Sequence, residues 1–248
     1  MKIGLKIWAD KLDLMDKFGD LFDFFEILAE PNLDIKLLKD YNFPIMMHVA
    51  HSMFGFNPSD KKKLGLNKQL LTKAIEAADA VDSRWIVVHP GYGLNPDAKE
   101  VMLSFYDDNF DKRFIFENCP TPDLSYNGHI YHFSIPSEMR QLLKRFNAGM
   151  VLDFGHATAT ANNLGKDPKV MIQEFFELNP KYFHLSGVDS DSKKDMHKHL
   201  FEVDNDFDFL KQIKKGKFVA FETGVEGIRD RKMHEKDIEV VRQIVDLH

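Results

Sequence analysis

MVLDFGH, residues 150–156, carries three signals in seven residues. Met150–Asp153 is short and apolar up to its last residue, as a strand buried on both faces of a parallel sheet should be. Asp153 then ends the run, Gly155 permits a tight turn, and His156 places a second metal-binding type of side chain just beyond it. Similar runs recur in both directions along the chain. They are Lys2–Ile7 (KIGLKI), Phe24–Leu28 (FFEIL), Ile45–His48 (IMMH), Trp85–His89 (WIVVH), Phe114–Glu117 (FIFE), Tyr182–Ser186 (YFHLS) and Phe218–Glu222 (FVAFE). Segments with helical apolar spacing lie between them, most clearly Asn67–Val81, Pro136–Phe146 and Asp167–Leu178, and Glu235–Leu247 closes the chain. Pro136 and Pro168 stand where a first helical turn tolerates proline. Strand then helix, repeated to a count of eight, predicts an α/β fold: a (β/α)8 TIM barrel rather than an open sheet. No Gly/Ser-rich or low-complexity tract divides the chain, so residues 1–248 read as a single domain.

The composition is that of an ordinary soluble protein, with 44% hydrophobic and 29% charged residues. A formal net charge of −6 provides no global attraction to nucleic acid or to anionic membranes. Cys119 is the one cysteine, so an internal disulfide is excluded and a reducing compartment is expected. The first twenty residues lack a basic-then-apolar signal pattern, and no apolar run is long enough to span a bilayer. A cytoplasmic protein without a membrane or protein partner is the expectation.

Six of the eight runs end, or nearly end, on a candidate metal ligand: His48, His89, Glu117, Asp153, His184 and Glu222. Such groups are costly inside an apolar strand unless paired or coordinated. A barrel brings the C-terminal ends of its strands to one face, so these residues would share a small pocket. Several carboxylates alone repel one another there, whereas a divalent cation stabilises them together. Singly, each has a plainer reading: Asp153 as a helix cap, a glutamate as half of an ion pair, a histidine as a hydrogen-bonded structural group. His156 and the pair Asp195/His197 extend the set to nine, with the pair's i, i+2 spacing turning both side chains one way if the loop is extended. One four-coordinate zinc would leave most of them unused, so two or three divalent metals sharing a bridging carboxylate are expected. Zinc is the first choice and manganese or iron the others.

The order and spacing of IMMH (45–48), VVHPG (87–91), FENCP (116–120), LDFGH (152–156), FHLS (183–186), DMH (195–197) and FETG (221–224) resemble endonuclease IV, the AP endonuclease family 2 branch of the xylose isomerase-like TIM barrels. That resemblance covers nearly the whole chain and implies three zinc ions on nine ligands. It implies His48 and His89 on one metal, with Glu117 bridging to a second. Asp153, His184 and Glu222 would complete the second, and His156, Asp195 and His197 would hold the third. The implied chemistry is phosphoester hydrolysis, in which coordination brings the pKa of water toward neutrality. Glu117 and Glu222 are the candidate catalytic residues, and the substrate carries a phosphate, abasic DNA among the options.

The chain also departs from that family. The second strand leads through AEPNLD into a short helix without a basic, aromatic DNA-reading loop. His51 and Ser52 stand near where intercalating residues would be, and KHLFEVDND (198–206) replaces a glycine-rich segment. These losses remove the parts that wedge into a duplex. The alternative is a sugar isomerase or epimerase of the same superfamily, needing one metal on Glu117, Asp153, His184 and Glu222, with the glutamates moving protons. His51, three residues after His48, is expected to face substrate or support the ligands, and His199 is a second such candidate or a substitute for His197. Glu26 reads as structural or pocket-lining, His129 and His132 as loop residues over the mouth, Lys61–Lys63 as solvated surface, and His234 and His248 as inert.

Overall fold

The computed structural model describes residues 1–125, 127–224 and 230–245. Eight parallel strands close into a barrel in sequence order, each hydrogen-bonded to the next and the last to the first. They are β1 (Lys2–Ile7), β2 (Phe24–Ala29), β3 (Ile45–Val49), β4 (Ile86–Val88), β5 (Phe114–Glu117), β6 (Gly149–Asp153), β7 (Tyr182–Leu185) and β8 (Phe218–Phe221). The expected runs all form strands, with ends displaced by no more than two residues; Trp85 and His89 fall outside β4. Seven α-helices are found among the described residues: α1 (Leu14–Phe18), α2 (Leu64–Ala80), α3 (Ala98–Asp108), α4 (Pro136–Phe146), α5 (Phe154–Asn163), α6 (Pro168–Phe176) and α7 (Arg231–Val245). The expected strict alternation needs correction. Two helices follow β6, whereas β2 and β7 are followed only by short 3-10 turns. His248 and the end of the expected Glu235–Leu247 helix lie outside the described residues.

Side chains alternate across a strand, so every second residue points into the barrel. The inward positions near the N-terminal ends form a plug of Phe24, Met46, Val87, Ile115, Val151, Tyr182, Phe218 and Ala220, with Trp85 packed beneath. Phe24–Phe218 and Trp85–Phe218 meet edge-on with centroids 5.4 Å and 5.2 Å apart, while Trp85 stacks on Tyr182 at 5.7 Å. Gly4 leaves the volume that the Phe24 ring fills; a Cβ there would overlap it. A second, larger core lies between the outer faces of the strands and the helices, and includes Leu5, Ile27, Met47, Leu152, Ala157, Phe175 and Val241. No helix among the described residues is long and apolar enough to cross a membrane.

Two residues above the plug, the same alternation changes chemistry. Gly4, Phe24, Met46, Val87, Ile115, Val151, Tyr182 and Ala220 are followed two positions later by Lys6, Glu26, His48, His89, Glu117, Asp153, His184 and Glu222. Six strands, together with His89 just past β4 and Glu222 just past β8, therefore each supply one ionisable side chain to a polar layer at the C-terminal mouth, where barrels build their sites.

Candidate metal centre

The nine candidate ligands converge in three groups. His48, His89 and Glu117 form one, Glu117, Asp153, His184 and Glu222 a second, and His156, Asp195 and His197 a third; within each, the candidate ligand atoms lie within 4.8 Å of one another. Glu117 joins the first two. Its Oε2 lies 3.1 Å from His48 Nε2 and 3.0 Å from His89 Nε2, while its Oε1 lies 3.4 Å from His184 Nδ1 and 3.1 Å from His156 Nδ1. Glu222 links the second and third, with Oε1 2.6 Å from His184 Nδ1 and Oε2 3.4 Å from His197 Nε2. Asp195 Oδ2 stands 3.3 Å from His156 Nε2 and 2.9 Å from His197 Nε2.

Neighbouring groups set which ring nitrogen faces the centre. His48 Nδ1 donates to the Val49 carbonyl at 2.7 Å and His156 Nδ1 to the Asn118 carbonyl at 2.9 Å, leaving each Nε2 to face a carboxylate. His184 is turned the other way, its Nε2 donating to Glu26 Oε2 at 2.9 Å so that Nδ1 faces Glu117 and Glu222. This arrangement, an outer hydrogen bond fixing the tautomer of an inward lone pair, is how metal-binding histidines are oriented. Asp153 Oδ2 and Asp195 Oδ1 are buried with no hydrogen-bond partner among the described residues. Ligands around a tetrahedral ion with bonds of about 2.0 Å stand about 3.3 Å apart, and the facing atoms, 2.6 to 4.0 Å apart, bracket that spacing. The donor set fits divalent cations.

Neighbouring carboxylates hold protons on His156, His184 and His197. Burial works against charged rings, yet Asp153 and Asp195 raise His156 well above its ordinary value, and Glu26 and Glu222 do the same for His184. His197, likewise opposed by burial, is raised to about 10 by Asp195. His89 is different: burial pushes it down to about 4, against the pull of Glu117. Burial raises Asp153 to about 7, opposed by His156 and reinforced by Asp195. Cation uptake by such groups displaces protons, so affinity falls as pH is lowered.

Asp153 caps a helix with one oxygen and turns the other toward the centre. Oδ1 accepts from the His156 backbone N–H at 2.7 Å and caps α5, while Oδ2 faces the second group. The Asn118 side chain clips β5 to β6 by bonding Asp153 N at 2.8 Å and Asp153 O at 2.9 Å. Gly155 is needed for space rather than for a turn: it lies in α5, and a Cβ there would stand 2.8 Å from Ser186 Oγ and 3.0 Å from Asp195 Oδ1. The Asp195/His197 loop is not extended as the spacing suggested. His197 takes a left-handed φ of 46°, and this fold in the backbone brings the two side chains together.

Several other residues stand differently from expectation. His51 lies beyond the end of β3, so strand alternation does not apply; its ring stacks on His89 with centroids 5.9 Å apart and lines the cavity. His199 does not line the cavity. It is buried behind His197, with Nδ1 2.6 Å from Asp237 Oδ2 in α7. His129 stacks on Tyr92 at 3.8 Å, and Lys61 pairs with Asp97. His234 is not an inert tail residue but fully buried between Phe18 and Phe22. Two members of the polar layer, Lys6 and Glu26, were not placed there by the reading of strand ends, although Gly4–Lys6 and Phe24–Glu26 carry the same two-residue phase as the rest.

Asp237 anchors the support behind the site. Its Oδ1 accepts from Leu200 N at 2.7 Å, and its Oδ2 accepts from Thr223 Oγ1 at 2.8 Å as well as from His199. Thr223 adjoins Glu222, and Gly224 N donates to the His197 carbonyl at 3.1 Å, so one helix carboxylate ties together the two segments carrying those ligands. Asp237→Ala strands three buried donors, and urea unfolding should show a loss of about 3 kcal/mol.

Above the layer is a cavity of about 170 Å³ whose lining includes Lys6, His51, Met53, Glu117, Tyr131, Met196 and Glu222. Endonuclease IV of Thermus thermophilus superposes on this chain with a TM-score of 0.71 over all of both chains, at 18% identity. A D-tagatose 3-epimerase-like protein gives 0.70 at 22% identity, covering 98% of this chain and 99% of its own. In sequence, the uncharacterized protein MJ1311 of Methanocaldococcus jannaschii is 22% identical over 91% of this chain and 81% of its own length. These likenesses show a shared fold in proteins named for different reactions. Residues 22–244 match the family model described as xylose isomerase-like TIM barrel, and the chain belongs to that family.

Proposed function

We propose that this protein is a hydrolase of phosphoesters that works with two to three divalent cations, zinc first and manganese or iron as alternatives. The observation that carries this reading is the pair of ligand groups, His48/His89/Glu117 and His156/Asp195/His197, flanking the four-residue group. A one-metal isomerase needs only the four. Mixed imidazole and carboxylate donors suit those metals, and the one thiol, Cys119 Sγ, faces the Glu117 carbonyl at 3.9 Å. Bound cations would supply an activated water near neutral pH and draw charge from the phosphoryl group. Glu117 and Glu222, each facing two groups, would each share a carboxylate between neighbouring cations. His51, Met53, Tyr131 and Met196 wall the cavity.

The second reading, a one-metal sugar isomerase or epimerase, is favoured by one observation. Glu117, Asp153, His184 and Glu222 are complete as a ligand set without the other five residues. Elemental analysis of protein purified without chelator, paired with turnover of bis(p-nitrophenyl) phosphate and of an abasic duplex, separates the two. Two to three cations per chain with diester cleavage is the expected result. One cation, no diester cleavage and epimerisation of a ketose would replace the hydrolase with the isomerase. Steep weakening with salt would mark the DNA substrate.

A further inference from the structure

We propose that Lys6 is a resident cation of this centre, which limits it to two tightly held divalent ions until an anionic substrate brings in a third. The inference rests on the multi-cation reading above. Lys6 enters the polar layer from β1 and is almost wholly buried. Its Nζ is 2.7 Å from Glu222 Oε1 and 3.7 Å from Glu26 Oε1. The same Glu222 oxygen lies 2.6 Å from His184 Nδ1, so any cation held there by Glu222 and His184 has an ammonium as its neighbour. Like charges this close and this buried are poorly screened.

Lys6 already supplies positive charge to the carboxylates around it. Completing the set of divalent ions puts one of them beside that buried ammonium, and a phosphate above them offsets the repulsion. Cation and anion therefore favour each other's binding, and by reciprocity each tightens the other.

The test is calorimetric titration of the protein with manganese, with and without inorganic phosphate. The wild type should take two ions alone, with the third bound at least about tenfold tighter when phosphate is present. Lys6→Met should take three without phosphate, and Lys6→Arg should behave as wild type. The double variant Lys6→Met/Glu26→Gln removes one charge of each sign and should return to two. If Lys6→Met does not fold, Glu26→Gln alone serves, because the lost negative charge should make the second ion phosphate-dependent. Three equivalent ions in the wild type, indifferent to phosphate, would overturn the inference, as would unchanged or weakened loading in Lys6→Met. A wild type that binds no divalent ion would instead remove the multi-cation reading itself.

Discussion

Glu117→Gln should lose at least one cation per chain by elemental analysis and at least about a thousandfold in phosphodiester turnover. The substitution is nearly isosteric, so the fold is expected to survive. What changes is the charge on a carboxylate whose two oxygens face different ligand groups: Oε2 toward His48 and His89, Oε1 toward His184 and His156. An amide offers one weak oxygen donor and an NH2 that repels a cation, so both groups are damaged by one change. Cation-assisted catalysis supplies several kcal/mol, and each 1.36 kcal/mol is tenfold in rate, which gives the thousandfold scale. A variant with its full cation content and activity within tenfold of wild type would rule out Glu117 as the bridge.

Chelation should have the second large effect. Prolonged dialysis against EDTA is expected to abolish turnover, and restoring zinc or manganese to recover it. Thermal stability should follow the same cycle. A ligand at about a thousand times its dissociation constant stabilises the folded state by about 4 kcal/mol. For a domain of this size, each kcal/mol shifts Tm by about 2–4 °C, so reloading should raise Tm by about 10 °C. Buried carboxylate oxygens such as Asp153 Oδ2 and Asp195 Oδ1 are the physical source of that gain. An unchanged Tm and undiminished turnover after verified cation removal would contradict the proposed function.

The barrel was legible because all its strands are short apolar runs with the same construction. The helices were less so, for reasons that α5 illustrates. From Phe154 to Ala161 every residue of that helix is buried, so there is no polar face to reveal a 3.6-residue period. Ala-Thr-Ala-Thr within it even imitates a strand. The candidate ligands could be read from strand ends, since a charged residue terminating an apolar run is conspicuous. Lys6 and Glu26 escaped that reading because each is followed by further apolar residues of its strand. Their inward phase emerges only when each is aligned with the residue two before it, Gly4 and Phe24. His199 misled in the opposite direction. Its proximity to Asp195 and His197 suggested the pocket, while its partner Asp237 lies 38 positions away on the last helix.

The aromatic plug beneath the polar layer has a further consequence. With Phe24, Trp85, Tyr182 and Phe218 filling the lower barrel, the molecule is a cup rather than a pipe. Whatever enters must leave by the same lip, where Met53, Tyr131 and Met196 stand. Ions, reactant and product therefore queue at one doorway. An occupant of the cavity is also a stopper for everything below it.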